Sequence, residues 1–158
     1  MLFGSFWSRP VAEYLALQTS QAADCARLHA TSFAHPWSST EFENLISAEN
    51  ILADGAFLRG KLIGFALSRQ ALDEAELLTI VIEPNRRQGG VGSRLLSAHI
   101  ETLIRRKARQ IFLEVDETNK AARKLYAAQR FEQVGRREAY YRRPGEAPVA
   151  ALVLQKNI

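Results

Sequence analysis

The chain has 158 residues, of which 47% are apolar and 24% charged. That is the length and balance of a single globular domain able to bury a sizeable core. Its apolar runs fall short of the roughly 20 residues that cross a bilayer. The apolar start, Met1 to Trp7, lacks the basic flank and length of a signal peptide, so no membrane partner is expected and the expected location is cytoplasmic.

One cysteine, Cys25, excludes an internal disulfide and a cysteine-based zinc cluster. The formal charge is +4, unevenly spread: Met1 to Ile82 carry 5 basic and 9 acidic residues, and Glu83 to Arg143 carry 15 and 7, a net +8. The second half should attract a polyanion such as a nucleotide, a phosphorylated cofactor or RNA, unless its charges only solvate helix faces.

In chain order, residues 1–9 read as a short extension and Val11 to Gln18 as a first strand. Thr19 or Ser20 caps a helix to about Phe33, broken by His35-Pro36-Trp37. Ser38 and Glu41 form a capping box that opens a second helix to about Ala48. Ile51 to Leu58 and Lys61 to Arg69 are strands joined by a tight turn at Arg59-Gly60. Glu76 to Ile82 is a strand apolar enough for burial on both faces, ended by Pro84. Gly89 to Lys107 is an amphipathic helix with Leu95, Leu96, Ile100, Leu103 and Ile104 on one stripe. Gln110 to Val115 is a strand, Asn119 to Gln129 a helix, and Phe131 to Tyr141 and Val149 to Gln155 are the last strands. Strands and helices alternating mid-chain imply a parallel pair there, and hairpins on either side imply antiparallel neighbours. The predicted fold class is α/β (α+β), a mixed sheet with helices on both faces.

Between the apolar strand and its helix lies Arg87-Gln88-Gly89-Gly90-Val91-Gly92-Ser93, an R-x-x-G-x-G pattern. The first turn of a helix presents N–H groups without intrahelical partners and the positive end of the helix dipole. Three glycines clear the approach and Arg86 and Arg87 add charge, which suits a pyrophosphate. No lysine follows as in a P-loop, and the spacing is not that of a dinucleotide fingerprint. A strand-to-helix turn that needs glycine only for its geometry would read the same way.

The neighbouring residues extend this pattern. Ala34 to Ser38 (Ala-His-Pro-Trp-Ser), Asp73 to Pro84, Leu113-Glu114-Val115, Asn119, Ala121-Ala122, Leu125-Tyr126, Gly135-x-Arg137 and Tyr140-Tyr141 occur in order. Together they resemble the GNAT N-acetyltransferase superfamily, and within it the RimI family of bacterial enzymes that acetylate the N-terminal amine of a small-subunit ribosomal protein. The resemblance implies a sheet splayed between two central parallel strands, Glu76–Ile82 and Gln110–Val115, with acetyl-CoA entering the gap. It implies that the backbone of Ile80, Val81 and Ile82 pairs with the pantetheine arm. Arg87 and the N–H groups from Gln88 through Gly89, Gly90, Val91, Gly92 and Ser93 would hold the pyrophosphate. Asn119 would touch the cofactor, although an N-cap is an equally natural use of it. No direct nucleic-acid contact is implied.

Acetyl transfer to an amine needs a neutral nucleophile, donors for the developing oxyanion and a proton for the departing thiolate. The resemblance gives Glu114 as proton acceptor and Tyr126 as proton donor. On residues alone, Glu114 reads equally as a solvent-facing strand residue and Tyr126 as a core aromatic. His35 to Phe42 and Tyr140-Tyr141 would flank the peptide, unless Trp37 is simply packed. His29, His35 and His99 have no spacing that argues for a metal. His99 is expected to be structural and Cys25 to be a buried small hydrophobe.

Two positions depart from the family pattern. Arg130 stands where a glycine would take a left-handed helix cap, so arginine must bear the strain or the helix must end otherwise. Asp116 lies beside Glu114, a like charge next to the candidate proton acceptor. Two other readings remain at this stage: a GNAT enzyme for a lysine or small-molecule amine, and a non-catalytic coenzyme A sensor or ribosome-binding module.

Overall fold

The computed structural model describes residues 10–141 and 144–158. The extension at residues 1–9, with Phe3, Phe6 and Trp7, lies outside them. The elements run β1 (Glu13–Ala16), α1 (Ala22–His29), α2 (Ser39–Ser47), β2 (Ile51–Leu58), β3 (Lys61–Ala71), β4 (Glu74–Ile82), α3 (Val91–Arg105), β5 (Gln110–Asp116), α4 (Lys120–Ala128), β6 (Glu132–Tyr141) and β7 (Val149–Asn157). The order is the one that the sequence predicts.

Local chemistry explains most of these elements. Ser38 accepts a hydrogen bond from the Glu41 N–H, and the Glu41 carboxylate accepts one from the Ser38 N–H, which closes the capping box of α2. Arg59 and Gly60 both have positive φ (49° and 77°) between the paired residues Leu58 and Lys61. That is the turn whose twist suits a two-residue hairpin.

The first helix is the main correction. A 3-10 turn at Thr19–Gln21 precedes α1, and the Gln18 N–H is held by the Gln21 side chain rather than capped by Thr19 or Ser20. The helix stops at His29, short of Phe33. There the His29 ring is stacked by Phe33 (4.2 Å) and Trp37 (4.7 Å), and its Nδ1 accepts the Trp37 N–H at 3.1 Å. Bringing Phe33 and Trp37 onto one imidazole requires the chain to leave the helix.

The seven strands are ordered β1-β2-β3-β4-β5-β7-β6, antiparallel except for β4 and β5. On one face α3 and α4 cover Ala56, Ala66, Leu77, Ile111, Leu113 and Leu152. On the other, α1 and α2 cover Ala53, Leu62, Phe65, Leu67 and Val81. On β4 the burial alternates, with Ala75, Leu77 and Val81 buried but Leu78, Ile80 and Ile82 only half-buried, while the faces change over between Leu77, which lies with the α3/α4 core, and Val81, which lies with the α1/α2 core. Burial on both faces is thus partial, because β5 does not follow β4 to its end. The two pair only at Glu74↔Gln110, Ala75↔Ile111 and Glu76↔Phe112 and then separate.

Candidate active site

A sheet that parts between two parallel strands leaves backbone groups on its inner edges without sheet partners. Beyond Glu76, β4 keeps β3 on one side, with Ala66↔Ile80, Phe65↔Val81 and Gly64↔Ile82 paired, and turns its other edge to the gap. The Glu83 N–H bonds the Ile63 carbonyl, so Val81 turns its backbone groups to β3 while Ile80 and Ile82 on either side turn theirs to the opening, the arrangement by which an extended ligand adds as a strand.

At the end of β4 the chain turns through Pro84–Arg86 into α3. Gln88 has φ 64° and Gly90 φ 84°, both left-handed. A Cβ at Gly90 would also meet the Arg94 guanidinium at 3.5 Å, and one at Gly92 would reach the Ile82 side chain at 3.5 Å. Gly90 thus supplies the turn and Gly92 the close approach of α3 to β4. The N–H groups of Val91, Gly92 and Ser93 in the first turn of α3 have no acceptor within the helix, and the Arg94 guanidinium lies beside Gly90. A helix start of this kind favours an anion.

Arg87 is directed elsewhere. Its Nε donates to the Ile82 carbonyl at 3.1 Å and its Nη2 to the Ser32 hydroxyl at 2.8 Å. It ties the loop to the end of β4 and to the segment between α1 and α2. Asn119 is the N-cap of α4, its Oδ1 accepting from the Ala122 N–H at 3.1 Å, which leaves its amide NH₂ available.

Glu114 lies on β5 with Ile111, Leu113 and Val115 buried on the α3/α4 face, so its own side chain turns to the α1/α2 face. It is 23% exposed, and the Arg137 guanidinium pairs with it at 3.1 Å while lying over the Tyr140 ring. Asp116, next on the same face, accepts both the N–H and the hydroxyl of Thr118 (2.8 and 2.6 Å), which turns the chain from β5 toward α4.

Tyr126 is 6% exposed and packs edge-to-face on Phe131 at 5.6 Å. Burial, with Tyr141 nearby, pushes its phenol well above the ordinary range, so it keeps its proton at every physiological pH. The Tyr141 phenol is raised as well, by burial first and then by Glu114, Tyr140 and Asp116. These shifts place Glu114, Asp116, Tyr126 and Tyr141 within one electrostatic neighbourhood.

Arg130 keeps the left-handed cap, with φ 63°. The Phe131 N–H bonds the Tyr126 carbonyl and the Arg130 N–H bonds that of Ala127, both at 3.0 Å. This is a Schellman stop whose customary apolar contact is the Tyr126–Phe131 pair. The strain is borne by arginine, and the Tyr126 helix ends as glycine would end it.

Two supports lie outside the residues that the sequence singles out for the site. The Gln129 side-chain amide donates to the Ser93 carbonyl and to the Ser93 and Ser97 hydroxyls, each at 3.0 Å, locking the end of α4 to the start of α3. Buried His99 bridges Asp54 and Ser68, with both contacts at 2.7 Å. The signal for this network was two polar residues set in apolar runs. Cys25 is fully buried and its thiol is pushed up to about 12 by burial and Asp24, as expected of an inert core residue.

The chain is similar to known proteins. The model of the acetyltransferase (GNAT) family matches residues 22–131. The [ribosomal protein bS18]-alanine N-acetyltransferase of Escherichia coli (strain K12) is 31% identical over 126 residues, covering 80% of this chain and 84% of that protein. The N-alpha-acetyltransferase RimI of Mycobacterium tuberculosis is 35% identical over 136 residues, covering 82% and 84%. The crystal structure of the ribosomal-protein-S18-alanine N-acetyltransferase from Escherichia coli superposes with a TM-score of 0.86 at 28% identity, covering 94% of each chain. With its splayed sheet, its glycine loop and these relatives, the chain belongs to the GNAT family of acetyltransferases.

Proposed function

We propose that this acyltransferase moves the acetyl group of acetyl-CoA to the N-terminal α-amine of a protein, with a small-subunit ribosomal protein of the bS18 type as first candidate. The observation that carries this is likeness along most of both chains to relatives named for that reaction. The site's chemistry agrees with it. The loop from Gln88 to Ser93 and the β4 segment Ile80, Val81 and Ile82 at the gap would hold the coenzyme, with Arg87 bracing the loop and the Asn119 amide as a further contact.

Glu114, on the opposite face at the mouth of the gap, takes a proton from the attacking amine, directly or through water. Tyr126 donates one to the departing sulfur and is reset by solvent. A single partly buried carboxylate is suited to an α-amine, whose pKa is about 7.7–8.0 against about 10.4 for lysine. At pH 7 roughly a tenth of α-amines are neutral, whereas a lysine costs about 3 kcal/mol more to deprotonate.

The test is mass spectrometry after incubation with acetyl-CoA and two peptides. One has a free N-terminus and no lysine, and the other a blocked N-terminus and internal lysines. Acetylation of the first alone is expected. Acetylation of only the second, or of neither, overturns the reading.

A further inference from the structure

A buried hydroxyl without a hydrogen-bond partner is costly, and a fold retains one where a ligand supplies the partner or the site needs the group. Three buried side-chain polar atoms have no partner among the described residues: Tyr14 Oη, Gln70 Oε1 and Thr79 Oγ1. Tyr14 is on the edge strand β1, and the amide nitrogen of Gln70 already bonds the Leu72 and Arg106 carbonyls. Thr79 differs from both. It is 5% exposed and stands on β4 just beyond the point where β4 and β5 part.

The register decides where its side chain points. On β3, Leu67 pairs with Thr79 and the next residue, Ser68, with Leu77, so Leu78 is an extra residue in β4. Such a bulge reverses which residues face which side beyond it. Leu77 accordingly lies with the α3/α4 core, whereas Val81 lies with the α1/α2 core, as does Leu67, the cross-strand partner of Thr79. The Thr79 side chain therefore faces the α1/α2 side, the side of Glu114. The paired offset between β4 and β5, Glu76↔Phe112, would carry Leu78 to the level of Glu114. The bulge advances that by one, so Thr79 takes the level of Glu114 across the gap.

We propose that the Thr79 hydroxyl is a further substrate-binding group of the acetyl transfer, accepting a hydrogen bond from the attacking α-amine opposite Glu114. This rests on the α-amine reading above. One amine N–H is held by Thr79 Oγ1 while the other points to Glu114, which aims the nitrogen lone pair at the thioester carbon. The N–C bond forms and the C–S bond breaks. The amine proton goes to Glu114, the sulfur takes the Tyr126 proton, and solvent restores both side chains. The products are the acetylated amine and coenzyme A.

Thr79→Val keeps the shape and removes the hydroxyl, and Thr79→Ser keeps the hydroxyl. For Thr79→Val, kcat/KM for the lysine-free peptide should fall about 10- to 100-fold, the worth of a hydrogen bond at a developing charge. Acetyl-CoA affinity should be unchanged. Its Tm should hold or rise, because a partnerless hydroxyl is replaced by a methyl group. Thr79→Ser should retain kcat/KM within about threefold of wild type. Unchanged kcat/KM in Thr79→Val, or a loss that tracks a falling Tm, overturns the proposal. Wild-type acetylation of a different amine alone overturns the α-amine reading and this proposal with it, whereas unchanged kcat/KM in Thr79→Val on an α-amine that the wild type acetylates overturns this proposal alone. A wild type that acetylates no amine overturns both.

Discussion

Asp54, His99 and Ser68 form a chain of acid, imidazole and hydroxyl with both contacts at 2.7 Å. Glu114, Arg137 and Tyr141 form a second polar group a few strands away. The first has the composition of a nucleophile relay, yet His99 and Ser68 are inaccessible and Asp54 nearly so. Both imidazole nitrogens are engaged, and α3 is thereby pinned to β2 and β3. The second stands at a gap in the sheet. Its carboxylate is 23% exposed and its partner is an arginine 58% exposed to solvent. Residue type does not separate structure from chemistry here; position at the gap in the sheet and the replaceability of the partner do.

Changes at the open group should cost turnover, and changes at the closed group should cost stability. Glu114→Gln and Tyr126→Phe should each lower kcat by about 100-fold or more while leaving acetyl-CoA affinity intact. Steady-state kinetics with a binding titration checks this, and normal turnover in both would dissolve the contrast. Asp54→Ala should strand a buried imidazole and cost on the order of 3 kcal/mol. Urea denaturation reads that loss, with turnover per folded molecule unchanged. Gly90→Val puts a β-branched side chain at φ 84° in the loop and should weaken acetyl-CoA binding by about tenfold. An unaltered Kd would move the pyrophosphate elsewhere.

Arg130→Gly relieves a left-handed arginine and should stabilise by up to about 1 kcal/mol, the strain removed less the added freedom of the unfolded chain. A lower Tm would mean that the arginine side chain contributes more than its backbone costs.

The smallest effect concerns pH. Burial lowers the His29 pKa below its ordinary value, against a smaller opposing influence of Glu41. As pH falls, the unfolded chain therefore takes up this proton before the folded one. The contribution is complete above about pH 6.5 and is lost as pH drops through the lower folded value. His29→Asn should flatten the fall of Tm between about pH 7 and pH 5. An unchanged slope would show that other groups carry it.

By itself the sequence determined what short-range chemistry controls. The capping box at Ser38 and Glu41, the hairpin at Arg59-Gly60, the order of the elements and the glycine turn into α3 all depend on neighbours a few residues apart. The Gln88–Ser93 loop was legible from its glycines between a strand and a helix, whereas Glu114 and Tyr126 stood out only through the resemblance to a family, since by themselves they read equally as a strand carboxylate and a core aromatic. Tertiary structure alone decided four things: where α1 stops, where Arg87 points, that His99 joins Asp54 and Ser68, and which way Thr79 faces. His99 meets partners 45 and 31 residues away, and Arg87 reaches a hydroxyl 55 residues back. Contacts at such separations follow from packing and register. A single extra residue at Leu78 is enough to turn the rest of a strand over, and no local pattern in Glu74–Ile82 announces it.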